Sequence, residues 1–143
     1  GVSRGLGDVY KRQIIYLINL LLGEDMKLLT IVVKPSRSDG VKRALSTIGT
    51  GGATIVSAQG FGTQKGHSET YRGASYEVDT KPKTMFKVAC KDDDVENIIR
   101  AVREVANTGE IGDGKIFVTE LNEVVRIRTG ETGEDAIKEN INE

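Results

Sequence analysis

The stretch from Gly60 to Pro82, GFGTQKGHSETYRGASYEVDTKP, constrains this chain more than any other. It separates two β-rich runs, ATIVSAQ and TMFKVAC, that read as neighbouring strands. A tight hairpin would join such strands with about two to five residues. The connection is roughly four times that length, which is the range of binding loops, lids and linkers rather than of plain turns. Its glycines, Lys65 and Arg72, with Tyr71 and Tyr76 among polar neighbours, argue against an inert spacer. The fold must therefore hold two adjacent strands while a long excursion leaves and re-enters between them.

From Met26 the remaining elements come in a regular order. Lys27 to Lys34, KLLTIVVK, is β-branched and apolar, and Pro35 ends it by removing a ladder donor. Ser36 to Asp39 offer N-cap side chains, and Val41, Ala44, Leu45 and Ile48 fall at i, i+3, i+4 and i+7, which predicts a helix with one buried stripe. The Gly49-Thr50-Gly51-Gly52 cluster stops it. A strand is expected from Ala53 to about Gln59, and another from about Lys83 to Lys91. Asp92, Asp93 and Asp94 are expected to cap a second helix, with Val95, Ile98, Ile99, Val102 and Val105 as its apolar face. After TGEIGDGK, the run IFVTELNEVVRIRT alternates as one long strand or a bent pair. The order βαββαβ predicts an α+β, ferredoxin-like antiparallel sheet with two helices on one face. Its other face would lie bare, and self-association through the sheet is the simplest cover.

The composition narrows what such a domain does. Lysine plus arginine is 20 and aspartate plus glutamate 21, a net charge of −1 that offers no field for nucleic acid. Three phenylalanines, four tyrosines and no tryptophan make an aliphatic core, another reason to expect burial by oligomerisation. Cys90, the single cysteine, excludes an internal disulfide and a zinc site of the usual spacing, and fits a reducing cytoplasm. His67, the single histidine, lies in the long loop with no arranged nucleophile, so a regulator or binding protein is expected rather than an enzyme. Residues 1–25 have no capped, periodic pattern and are expected to be a non-native or disordered extension, with Met26 as the natural start. Their apolar run, IIYLINLLLG, falls short of the roughly 20 residues a membrane span needs. Residues 138–143 read as a polar tail.

Two motifs carry charge chemistry. Gly109-Glu110-Ile111-Gly112-Asp113-Gly114-Lys115 is not a Walker A loop, since Ile116 stands where a magnesium-binding Ser or Thr would be. Its glycines nonetheless allow backbone N–H groups to converge on an anion, with Lys115 as a point charge, although a plain turn uses the same residues. Arg126 and Arg128 are two apart on the expected strand and would share a face, as solvated charges or as a phosphate clamp.

With these residues in view, Met26 to about Ile137 resembles the PII nitrogen-regulatory signal proteins. The resemblance is carried by Lys34-Pro35, GFG-x-QKGH-x-E-x-YRGA-x-Y, Pro82-Lys83, TG-x-IGDGKIFV and VVRIRTGE, in that order. It implies a homotrimer with ATP or ADP in the clefts between subunits, and it makes residues 61–81 the family's T-loop. By the resemblance, Gly112, Asp113, Gly114 and Lys115 hold the phosphates, completed by Arg126 and Arg128 from a neighbouring subunit. Thr54 and the backbone at Ala89 line the base pocket, and Gly62, Thr63 and Gln64 meet the phosphates. Gln64 gives its amide oxygen to Mg2+. For 2-oxoglutarate, Lys83 pairs with the distal carboxylate, while Gln64 and the backbone near Lys65 and Gly66 hold the rest. The implied targets, met through the T-loop, are ammonium channels, nitrogen-assimilation enzymes and signalling enzymes.

Tyr76 matches the tyrosine that a uridylyltransferase modifies in many bacterial members, with Ser75 standing where an acidic residue or alanine is commoner. Thr63 replaces a usual basic residue, which removes one phosphate contact. The alternative is a ferredoxin-like trimer without 2-oxoglutarate sensing, either an adenylate-only sensor or a protein of the metal-tolerance type.

Overall fold

A computed structural model describes residues 7–15, 17, 26–62 and 79–138. Four strands, β1 (Met26–Val33), β2 (Thr54–Gly60), β3 (Lys81–Lys91) and β4 (Gly114–Leu121), form one sheet in the order β2-β3-β1-β4. Every pairing is antiparallel. Helix α1 (Ser38–Ile48) connects β1 to β2, and α2 (Val95–Ala106) connects β3 to β4. This is the ferredoxin-like α+β arrangement, with the core between the sheet and the two helices.

Side chains alternate across each strand, so register decides which face each residue serves. Ile31 lies opposite Phe86 on one side and Ile116 on the other, and Leu29 lies opposite Val88. These residues pack on Val41 and Leu45 of α1 and on Ile98, Val102 and Ala106 of α2, which makes the core. The helical spacing read from the sequence thus meets the inward row of the sheet. The opposite face carries Leu28, Val32, Val56, Met85, Ala89 and Phe117, all part-buried or exposed in the single chain.

Four details differ from the sequence expectations. The helix starts are not capped by side chains. Instead Pro35–Arg37 and Asp92–Asp94 each wind into one 3-10 turn leading into the helix, and neither Arg37 nor Asp94 makes a side-chain cap bond. The backbone itself satisfies the tight first turn, while the aspartates still lie at the positive end of the α2 dipole. Second, β3 begins at Lys81 and so contains Pro82. β1 has already ended opposite Thr84, so a residue without an N–H is tolerated in this one-sided stretch.

Third, β4 stops at Leu121 rather than running on through VVRIRT. Leu121 pairs with Met26, the first residue of β1, and the ladder runs out there. The chain then makes a separate turn closed by a Val125–Thr132 bridge, followed by a one-turn helix, Glu134–Ile137. Arg126 and Arg128 therefore do not share a strand. Fourth, residues 7–15 and 17 are helical, though no capped amphipathic pattern announces them. Lys11, Arg12 and Gln13 supply helix propensity, but Val9, Tyr10, Ile14, Ile15 and Leu17 remain more than half exposed. No helix among the described residues is long and apolar enough to cross a membrane. The glycine stop of α1 is as expected: Gly49 takes a left-handed φ of 81° and donates to the carbonyls of Leu45 and Ser46.

Candidate anion-binding site

The antiparallel register brings three chain ends to one edge of the sheet. Val33, last in β1, pairs with Thr84 near the start of β3 and with Gly114 at the start of β4. Lys34, Lys83 and the loop 107–114 are therefore neighbours. Gly60 ends β2 at the same edge, so the root of the long loop is there too.

The loop is held by one carboxylate. Asp113 accepts from the Thr108 N–H at 2.7 Å, the Gly109 N–H at 3.0 Å and the Thr108 hydroxyl. Lys34 Nζ pairs with it at 3.3 Å. The Thr108 hydroxyl bond is the main cause that brings the Asp113 pKa down to about 2, aided by the two backbone N–H groups and Lys34, while burial opposes the shift. Its carboxylate thus faces its own loop and leaves the loop's outer side to Gly112 and Lys115. Gly112 and Gly114 have φ of 97° and 109°, in a region that favours glycine. At Gly114 an added Cβ would lie 1.7 Å from the Val32 carbonyl oxygen, so the strand pairing itself demands glycine. Lys83 Nζ donates to the Gly112 carbonyl at 2.5 Å. Lys115, exposed, continues the cationic edge on the uncovered face of the sheet.

Other residues singled out in the sequence lie elsewhere. Ala89 is six positions along β3 from Lys83, about 20 Å at the usual rise. Thr54, opposite Lys87, also lies towards that far end, with Gly51 preceding it. Arg126 belongs to the same end. Its side chain is 16% exposed, and its guanidinium donates to the carbonyls of Asp135, Ala136 and Lys138 (3.3, 3.3 and 2.6 Å) and lies 3.9 Å from Glu131. The one-turn helix it braces is 3.9 Å from Lys91 through Glu134 and packs its Ile137 carbonyl over Gly51, where no Cβ would fit. Arg128 is in the turn between Val125 and Thr132.

One chain thus presents Gly62, Lys83, Gly112, Asp113, Gly114 and Lys115 at one edge, and Thr54, Ala89 and Arg126 at the other. Thr63, Gln64, Lys65, Gly66 and Tyr76 lie outside the described residues, as does His67. Lys34 and Thr108 were not picked out from the sequence as site residues. The signal for Thr108 was its place five residues before Asp113, and for Lys34 its place at the end of a strand just before a proline.

A ferredoxin-like sheet with a glycine loop and lysines at the base of a long connection defines an α+β domain suited to oxyanions. Residues 26–131 match the family model for nitrogen regulatory protein P-II. A nitrogen regulatory protein P-II of Mesorhizobium japonicum is 55% identical over 112 residues, 78% of this chain and 100% of the relative. Among solved structures, a B. subtilis GlnK–ATP complex superposes with a TM-score of 0.70 at 33% identity, covering 80% of this chain and 100% of that one. Arabidopsis thaliana PII bound to citrate superposes with a TM-score of 0.65 at 36% identity, covering 80% and 92%. The chain belongs to the P-II nitrogen regulatory protein family.

Proposed function

We propose that this protein reports nitrogen and energy status by binding ATP or ADP, and 2-oxoglutarate with Mg-ATP, between the subunits of a homotrimer. The observation that carries this is the convergence of Lys34, Lys83 and the Asp113-braced glycine loop at the root of the 61–80 connection. Solved relatives described as an ATP complex and a citrate complex support it. The two halves of the expected site lie at opposite ends of one sheet. A head-to-tail rotational contact would bring one subunit's Lys83 edge to a neighbour's Thr54, Ala89 and Arg126 edge, and a closed ring repeats that contact. The uncovered sheet face supplies apolar surface for such packing.

In this reading Gly112, Gly114 and Lys115 meet phosphates, with Arg126 and Arg128 reaching them from the neighbouring subunit. Thr54 and Ala89 border the base, and Gly62 with Thr63 approaches the phosphates. Magnesium would be held by the phosphates and the Gln64 amide oxygen, a donor set that suits a hard cation. It would give 2-oxoglutarate a metal to bind, while Lys83 pairs with the distal carboxylate and the Lys65 and Gly66 backbone holds the rest. Each ligand shifts the loop only by its different affinity for the loop's arrangements. The loop then docks or fails to dock on a cytoplasmic partner: an ammonium channel, a nitrogen-assimilation enzyme or a signalling enzyme. Tyr76 would be the acceptor if a uridylyltransferase acts on it. The output is binding, and any ATP hydrolysis would be slow and incidental.

Calorimetric titration of 2-oxoglutarate with and without Mg-ATP tests the proposal, and heat of binding is expected only with Mg-ATP present. Thr63, in place of a basic residue, favours one second reading, an adenylate-only sensor. Nucleotide binding with no 2-oxoglutarate response would establish that reading instead.

A further inference from the structure

Lys34 is surrounded by three oxygens: Asp113 Oδ1 at 3.3 Å, Thr108 Oγ1 at 3.4 Å and Glu110 Oε2 at 3.4 Å. An ammonium has three donors, so a ligand oxygen can join only if one of these leaves. Asp113 is tied down by Thr108 and Gly109, and the Thr108 hydroxyl is committed to Asp113. The Glu110 side chain is 78% exposed, so it leaves at least cost. Across the loop, Lys83 Nζ and Lys34 Cε each lie 3.7 Å from the point where a Cβ on Gly112 would stand. Two lysines thus flank a residue that has no side chain, and the place a Cβ would take on Gly112 lies in ordinary contact with both.

We infer that Lys34 is a further anion-binding residue of this edge, and that Glu110 is an internal carboxylate occupying the place of the ligand's own oxyanion. This rests on the effector site proposed above. A carboxylate or phosphate oxygen entering over Gly112 displaces Glu110, takes its bond to Lys34 and shares the neighbouring ammonium of Lys83. Glu110 thereby sets the threshold of the site, since ligand must compete with it.

The test is calorimetric titration of Mg-ATP, and then of 2-oxoglutarate into Mg-ATP-loaded protein. The proteins are wild type, Glu110→Gln, Lys34→Met and the double variant. Glu110→Gln is expected to tighten one of the two ligands about two- to fivefold, the scale of an exposed ion pair. Lys34→Met should weaken the same ligand about tenfold or more, as for a lost charged hydrogen bond. The arm that responds identifies the oxyanion as phosphate or carboxylate. In the Lys34→Met background, Glu110→Gln should have no effect, because the two act as one unit. A gain that persists there would mark a general field effect and overturn the inference, as would unchanged affinity in Glu110→Gln alone. The second result stands even if Lys34→Met fails to fold. Wild-type binding with unaltered variants leaves the effector site in place and removes only the exchange. No binding by wild type removes both.

Discussion

Gly114→Ala separates two reasons why a glycine is needed, and the structure supplies its own controls. Gly49 (φ +81°) has nothing within 4 Å of an added Cβ, and Gly112 (φ +97°) meets only the ends of two lysine side chains at 3.7 Å. Alanine at either position costs chiefly the strained backbone, about 1–2 kcal/mol. Gly114 (φ +109°) carries that cost and a collision as well: its Cβ would stand 1.7 Å from the Val32 oxygen and 2.7 Å from the Val32 carbonyl carbon. No rotamer relieves a backbone contact, so β1 and β4 must part at Val33–Gly114 and Val32–Lys115. Losing about two ladder bonds at about 1 kcal/mol each brings the total to about 3–4 kcal/mol. Urea unfolding followed by circular dichroism, at one protein concentration to hold any association constant, measures it. The midpoint should fall at unchanged slope, about twice as far for Gly114→Ala as for Gly49→Ala or Gly112→Ala. If Gly114→Ala lies within about 0.5 kcal/mol of Gly49→Ala, the collision argument is refuted.

Two further predictions concern protons. The Asp113 pKa is lowered from 3.8 to about 2, chiefly by the Thr108 hydroxyl, so this carboxylate stabilises the fold above 3.8 and ceases to as pH falls through about 2. NMR titration of its carboxyl carbon should show that value rise towards 3.8 in Thr108→Val and stay low in Thr108→Ser; an unmoved titration in Thr108→Val would refute the loop lock. Burial pushes the Cys90 thiol up to about 11 from 9.0, with Asp94 and Asp92 adding to it. Native protein at about pH 8 should carry about a hundredfold less thiolate than a free cysteine and resist iodoacetamide until urea unfolds it, as followed by mass spectrometry.

The two helices and their buried stripes could be read from the sequence because spacing alone determines them. Val41 with Leu45, and Ile98 with Val102, recur at helical intervals, and each is buried. What the sequence concealed depends on which groups the fold sets against one another. The alternation of VVRIRT is as good as that of KIFVTEL, yet only the second has β1 opposite it. Asp113 in a glycine loop reads as a ligand group, yet Thr108 and Gly109, five and four residues before it, turn it inward. Lys34 becomes a site residue only through the register that sets β1's end beside the loop 107–114. The expected side-chain caps are absent because a 3-10 turn satisfies with backbone what Ser36 or Asp94 was expected to satisfy with a side chain.

The ladder between β2 and β3 runs without interruption to Gly60 and Lys81, so the sheet itself fastens both ends of the long connection. Once its ends are held together, doubling such a loop costs only about 0.6 kcal/mol of closure entropy. The stability of the scaffold is therefore nearly indifferent to how long the connection between those two residues is. Selection, or an engineer, can lengthen or shorten the connection beyond Gly66 at little cost to the fold, while the core, the anion cradle and the proposed ligand contacts at residues 62–66 stay as they are.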